Sequence, residues 1–216
     1  MYKYGDDSIA NLFKNIGEVS YTNYGDSVDM AFIEEANKLY IYLEGSYEIS
    51  DWVLNFWFVK RPYKDMKIPY KVHGGFLRCW KMIKDVVIAK ISSKPYEKII
   101  IVGYSHGAAL AMLCHECVWY HRPDIRDKSY TLAIEGPRVY AGFKVKQELK
   151  ERWDRFYLIR NGVDIVTHVP PKLFGFTHVG NIIEIGHKPS LRFIKDHYPQ
   201  SVYYAIVEYE KTHKLP

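Results

Sequence analysis

The 216-residue sequence predicts an α/β domain, a central and mostly parallel sheet flanked by helices. Three observations carry that expectation. Short strand-like runs (Ile99 to Val102, Tyr130 to Ile134, Arg155 to Arg160, Asn181 to Ile185) alternate with helical patterns. The first of them enters a tight turn, Gly103-Tyr104-Ser105-His106-Gly107, and leaves it through small residues that suit a closely packed helix, Ala108, Ala109 and Ala111. No repeat, linker or low-complexity stretch divides the chain, so residues 1–216 read as one domain.

Composition narrows the classes. Hydrophobic residues make up 48% and charged residues 25%, enough apolar surface for a substantial core. An aromatic content of 16%, with 19 Tyr and 5 Trp, suits a site that handles apolar or ring-containing ligands. The net charge of +5 is mild and its lysines and arginines are scattered, which argues against a nucleic-acid partner. The N-terminus lacks the apolar segment of a signal peptide, and no run approaches 18 apolar residues, so no transmembrane segment is expected. The location expected is cytoplasmic, or secreted if a leader has been removed. Cys79, Cys114 and Cys117 form no disulfide framework. Cys114-His115-Glu116-Cys117 has the spacing of a redox or zinc motif, with His121 a turn further on. It lies mid-helix, however, where thiols pack in the core, so neither metal nor cofactor is expected.

Taken in order, residues 1–37 contain polar turns (Gly5-Asp6-Asp7-Ser8, Asn23-Tyr24-Gly25-Asp26) and a helical pattern from Ser27, with Met30, Ile33 and Ala36-Asn37 at helical spacing. Lys38 to Glu44 alternates like a half-buried strand and ends at Gly45-Ser46, a strand-tip loop. Ile49, Trp52, Val53, Phe56 and Trp57 then recur at i, i+3, i+4, i+7 and i+8. That stripe reads either as a core helix or as a lid, spanning 46–60, that lays its apolar face over a cleft. Residues 58–72 are basic and broken by Pro62 and Pro69, a loop or short hairpin. Val72-His73-Gly74-Gly75 opens a helix with Phe76, Trp80, Ile83 and Val87 on one face. The helix after Ser105 runs to about His121, and another is expected from about Phe143 to Trp153. The strand Arg155 to Arg160 ends at Asn161-Gly162-Val163-Asp164, and Pro199 starts a last helix through Val202, Ala205, Ile206 and Tyr209.

Gly103-x-Ser105-x-Gly107 between a buried strand and a helix is the pattern of a nucleophile elbow. The turn lifts a serine hydroxyl to the edge of the sheet, and flanking glycines let strand and helix approach without Cβ clashes. The helix N-terminus aims its dipole and N–H groups where an oxyanion would form. An acid just past a strand's C-terminal edge, as Asp164 is, stands where an imidazole-orienting carboxylate belongs, although Asp after Asn-Gly is also a common turn.

Several blocks in one order make the chain resemble the class 3, fungal-lipase-like family of α/β-hydrolases. Gly45-Ser46 followed by Asp51-Trp52-x-x-Asn55 resembles the family's oxyanion loop and lid, and Val72-His73-x-Gly75-Phe76 its helix-opening block. Gly103-Tyr104-Ser105-His106-Gly107-Ala108-Ala109-Leu110-Ala111 is similar to its G-H-S-L-G-G-A-L-A. Gly136-Pro137-Arg138-Val139 resembles its G-x-P-R-V-G-N. Asn161-x-x-Asp164-x-Val166-x-x-x-Pro170-Pro171 is similar to the segment whose Asp is the triad acid. The chain departs from the family at Glu44 (usually Arg), His106 (usually Leu), Ala108 (usually Gly) and Tyr140-Ala141 (usually Gly-Asn), and none of these removes a triad atom.

The resemblance implies an α/β-hydrolase fold and a serine carboxylic-ester hydrolase with Ser105 as nucleophile, Asp164 as acid and His197 as base. His197, in Asp196-His197-x-x-x-Ser201-x-Tyr203, looks like the late block that carries the family's histidine. His178 is the alternative, although its block looks structural, and His168 lies too near Asp164 along the chain. Backbone N–H groups of Ser46 and His106 would hold the oxyanion, with Trp52, Val53, Phe56 and Trp57 as lid and substrate-binding residues. The implied partner is an ester or lipid substrate, met at a lipid–water interface if the lid operates. Oligomeric state is not legible. The competing expectation is a catalytically silent protein of the same fold that holds an apolar ligand.

Overall fold

Ile99 to Val102 lie in the middle strand of a seven-stranded sheet. The computed structural model of the chain describes residues 7–25, 27–44, 58–65, 70–142, 150–186 and 195–213. Within these, the chain runs through α1 (Ile9–Ile16), β1 (Thr22–Tyr24), β2 (Val28–Glu35), β3 (Lys38–Leu43), β4 (Lys60–Pro62), β5 (Lys71–His73) and α2 (Gly74–Ser92). It continues with β6 (Lys98–Tyr104), α3 (His106–His121), β7 (Tyr130–Ile134), β8 (Tyr140–Ala141), β9 (Phe156–Asn161), β10 (Phe176–Thr177), β11 (Asn181–Ile185) and α4 (Pro199–Glu210).

The large sheet has the order β1-β2-β3-β6-β7-β9-β11. β1, β2 and β3 pair antiparallel, and β3, β6, β7, β9 and β11 pair parallel, matching the mostly parallel sheet expected. Period-two side chains split the core in two. Leu39, Ile41, Ile99 and Ile101 face α2 and α3, while Tyr40, Tyr42, Ile100 and Val102 face α1 and α4. α3 is buried from His106 to Val118, as an element apolar on every side must be. A second sheet, β10-β8-β5-β4, is antiparallel throughout and built from strands of two or three residues.

Three local readings change. The stretch from Ser27 is not helical: Val28–Glu35 is a strand, hydrogen-bonded between β1 and β3. Val28, Met30 and Phe32 also satisfy a two-residue period, and Ala36-Asn37 is the hairpin turn, Ala36 taking a left-handed φ of 48°. The polar N-terminal stretch contains α1, which buries Ile9, Leu12, Phe13 and Ile16 and is capped by the Ser8 hydroxyl accepting from Asn11 N–H at 3.3 Å. Of the helix expected over 143–153, the 3-10 turn Glu151–Trp153 is described, and 143–149 lie outside the described residues.

Glu210, at the end of α4, also caps α1. Its carboxylate accepts from Ile9 N–H at 2.6 Å and from Ala10 N–H at 3.2 Å, where the helix dipole favours negative charge. Among the described residues no helix is long and apolar enough to cross a membrane.

Candidate active site

The parallel strands β6, β7 and β9 end side by side, with Tyr104 opposite Ile134 and Ile134 opposite Ile159. The ladder runs one step past each strand: Ser105 N–H donates to Ile134 O and Glu135 N–H to Ile159 O, both at 2.9 Å. Ser105, Glu135 and the loop after Asn161 therefore share one edge of the sheet, where the functional crevice of such sheets lies.

Ser105 has φ 56° and ψ −119°, a conformation that costs on the order of 1–3 kcal/mol and is held by its surroundings. The two glycines show how. A Cβ on Gly103 would stand 2.4 Å from the Gly107 carbonyl oxygen, and one on Gly107 would stand 2.1 Å from that of Leu43. Only bare backbone allows strand, turn and helix to come this close. Gly107 thus packs against the end of β3, next to Glu44.

The Ser105 hydroxyl donates to His197 Nε2 at 3.0 Å, and His197 Nδ1–H donates to Asp164 Oδ2 at 2.5 Å. The other Asp164 oxygen accepts from Val166 N–H at 2.9 Å. All three residues are buried. Hydroxyl, imidazole and carboxylate, drawn from positions 92 and 33 residues apart, form one continuous hydrogen-bonded line.

Neighbours hold that line in place. Tyr104 stacks on the His197 ring, with centroids 5.2 Å apart and planes 24° apart, and its hydroxyl donates to the His197 carbonyl. The Asn161 side chain donates to Asp196 O at 2.8 Å and Ser201 Oγ at 3.2 Å, fixing the segment that carries the imidazole. Arg138 is buried and donates to the carbonyls of His168 and, at 3.0 Å, Pro170, bracing the loop that follows Asp164. Nothing local in the sequence signals this contact of Tyr104 with a residue so far along the chain.

Two other histidines are placed differently. His178 Nε2–H donates to Thr167 O at 2.7 Å, and burial pushes its pKa down to about 3, so it stays neutral. His168 Nδ1 meets the backbone carbonyl of Asp164 at 2.8 Å rather than its carboxylate. His106 opens α3, so its N–H lies in the first turn where the helix dipoles converge, while its buried ring packs against Phe76 with centroids 5.7 Å apart. Ser46, Trp52, Val53, Phe56 and Trp57, and the lid segment up to residue 57, lie outside the described residues.

Glu135 was not singled out by its sequence. It is buried, takes φ 52°, and accepts from Asn161 N–H. Oxygens of Glu135 and Asp164 and a nitrogen of His197 lie within 4.8 Å of one another, close enough to face a cation. The Nδ1–H of His197 already points at Asp164, so a metal there would have to break that hydrogen bond. The line from Ser105 to Asp164 can do nucleophilic chemistry without one: the imidazole can take the hydroxyl proton and the carboxylate can balance the charge.

Comparison with known proteins points the same way. The profile of the family described as Lipase (class 3) matches residues 40–174. A lipase of Rhizomucor miehei is 28% identical over 166 residues, covering 73% of this chain and 44% of that protein. A secreted mono- and diacylglycerol lipase of Fusarium solani is 28% identical over 171 residues, covering 76% of this chain and 48% of its own. The chain thus spans less than half the length of these relatives. Lipase II from Rhizopus niveus superposes with a TM-score of 0.67 at 23% identity, over 79% of this chain and 66% of that one, and shares its fold.

Proposed function

From the premise that this chain belongs to the class 3 lipase family, we propose that it is a serine carboxylic-ester hydrolase acting on lipid or other apolar acyl esters. One observation carries the reading: the Ser105 hydroxyl, the His197 imidazole and the Asp164 carboxylate joined by hydrogen bonds of 3.0 and 2.5 Å. Ser105 attacks the ester carbonyl while His197 Nε2 takes its proton. Asp164 holds Nδ1–H and stabilises the imidazolium, which then protonates the leaving alcohol. Water repeats the sequence on the acyl-enzyme. The backbone N–H of His106, with that of Ser46, receives the oxyanion. The packing of Glu44 beside Gly107 supports the second donor, since Ser46 follows two residues later.

An apolar rim supports a lipid substrate. Leu173 is 87% exposed, and Ile165, Phe174 and Tyr198 are also exposed, on the segments that follow Asp164 and His197. Phe58, in the last part of the 46–60 segment, packs on Phe174 with ring centroids 5.1 Å apart. A segment bearing Trp52, Val53, Phe56 and Trp57 that covers such a rim would act as a lid, and specific activity is then higher on micellar or emulsified ester than on monomeric ester. Of the two locations the sequence leaves open, we favour secretion, as named for the Fusarium solani relative.

The test is a panel of p-nitrophenyl esters from short to long acyl chains. Ser105→Ala is expected to lower kcat by about 10⁶, and a fluorophosphonate is expected to label wild type at Ser105. Absence of labelling together with turnover unchanged in Ser105→Ala refutes the reading. Near-normal turnover in His197→Ala with loss in His178→Ala would move the base to His178.

A further inference from the structure

The line from Ser105 ends at Asp164, but the buried polar cluster does not. Beside Asp164 lies the second carboxyl, Glu135, fully buried just past the end of β7. One of its oxygens accepts from Asn161 N–H. The other, Oε2, is buried and accepts from no N–H or O–H among the described residues. What the Glu135 carboxyl faces is the carboxyl of Asp164. Two acceptors can be joined only if one of them carries a proton.

Which one carries it follows from the donors around each. Asp164 receives Val166 N–H and His197 Nδ1–H, the pair a carboxylate needs. Glu135 receives one backbone N–H. Among the described residues, the titratable groups facing Glu135 are Tyr104 at the end of β6, Arg160 on β9, Asp164 and His197. Arg160 is the one cation among them not made by titration, and it is engaged with Glu184 at 3.1 Å, with Thr167 Oγ1 and with His168. Among the described residues, no cation in the cluster is therefore left over to neutralise a second negative charge.

We propose that Glu135 is a positioning residue for the reaction above: a neutral carboxylic acid whose O–H donates to Asp164, so that the two carboxyls share one proton and place a single negative charge behind the imidazole. The inference rests on the proposed Ser105–His197–Asp164 chemistry and adds a fourth group to it. Burial and the adjacent Asp164 push the Glu135 pKa well above the ordinary carboxylate range, in keeping with the proton. The proton gives Asp164 a third donor beside Val166 N–H and His197 Nδ1–H. A second negative charge would have over-stabilised the imidazolium and left less free base near neutral pH.

The decisive variant is Glu135→Gln, which keeps an acceptor for Asn161 N–H and a donor for Asp164 but cannot ionise. A native Glu135 that is protonated where the unfolded chain is ionised takes up a proton on folding, so wild-type stability falls as pH rises above about 4.3. The melting temperature of Glu135→Gln minus that of wild type is expected to grow from pH 5 to pH 8, by about 3 °C per pH unit while Glu135 stays protonated. A difference that stays flat across that window means an ionised Glu135 and overturns the proposal. In ester hydrolysis, Glu135→Gln is expected to hold kcat/KM within a few fold and leave the acidic limb of its pH profile in place. A limb displaced by about one pH unit toward acid would reveal a lost negative charge and equally overturns it. Glu135→Leu, if folded, loses at least tenfold in kcat that Gln restores. The melting arm needs no turnover, so failure of the esterase reading, seen as unlabelled Ser105, is told apart from failure of the shared proton.

Discussion

Among the described residues, two buried clusters that hold a histidine beside an acid are arranged in opposite ways. In the first, His197 stands between the Ser105 hydroxyl and the Asp164 carboxylate at the ends of parallel strands. In the second, His115 and Glu116 lie inside α3. The His115 nitrogens end on Thr131 Oγ1 at 2.9 Å and on the Arg152 carbonyl at 2.5 Å, and Glu116 pairs with Arg152 at 3.2 Å. Burial pushes the His115 pKa down to about 4 and the Cys117 thiol up to about 12, so at neutral pH the imidazole is neutral and the thiol protonated. The sequence sets four reactive side chains of the second cluster in a row, Cys114 to Cys117, and scatters the first over 93 positions. Reactivity depends on what each ring nitrogen faces, not on neighbours in the chain.

The contrast breaks first at Asp164. Asp164→Asn preserves the shape of the line but offers Nδ1 the wrong partner, and kcat is expected to fall by about 10⁴ with the fold intact. Steady-state kinetics alongside a melting curve checks both halves. In the other cluster the effects should reverse. Arg152→Met strands the buried Glu116 carboxylate and is expected to cost about 3 kcal/mol in urea unfolding, while turnover per folded molecule stays at the wild-type value.

The smallest effect is one of slope. Burial raises the Glu116 pKa to about 7, against the pull of Arg152. A carboxyl raised on folding binds more protons in the native state, so stability is greatest below about pH 4.5, falls as pH rises and levels off above about 7. Glu116→Gln should remove that contribution, flattening the pH dependence of the urea-unfolding free energy by up to about 1.4 kcal/mol per pH unit across the window. Profiles of the two proteins that run parallel would show Glu116 to be ionised throughout.

Much of the first cluster was legible because its parts are local. The β-branched run, the two glycines and the small-residue helix fix Ser105 within the stretch Ile99 to Ala111, and steric contacts of 2.1 and 2.4 Å account for the glycines. Asp164 could be read as an acid past a strand end. What the sequence withheld is tertiary. Choosing His197 over His178 needed the family's block order, since both are histidines before an apolar element. Tyr104 and Glu135 gave no local sign, because stacking on a ring far along the chain and burial beside another carboxyl are created by folding. β2 was misread because Val28, Met30, Phe32 and Ile33 fit both periods, and its turn uses Ala36 where a glycine or asparagine would have announced a hairpin.

Glu210 capping Ile9 and Ala10 has a consequence for how the chain can be rewired. Its hydrogen bonds of 2.6 and 3.2 Å hold the start of α1 against the end of α4, across the face of the sheet opposite α2 and α3. In a chain of residues 7–213, a few flexible residues joining position 213 to position 7 would form a ring, and new ends could then be opened in a surface turn such as Asp127-Lys128. Such a circular permutant would keep every strand pairing and still present the same serine at the same edge.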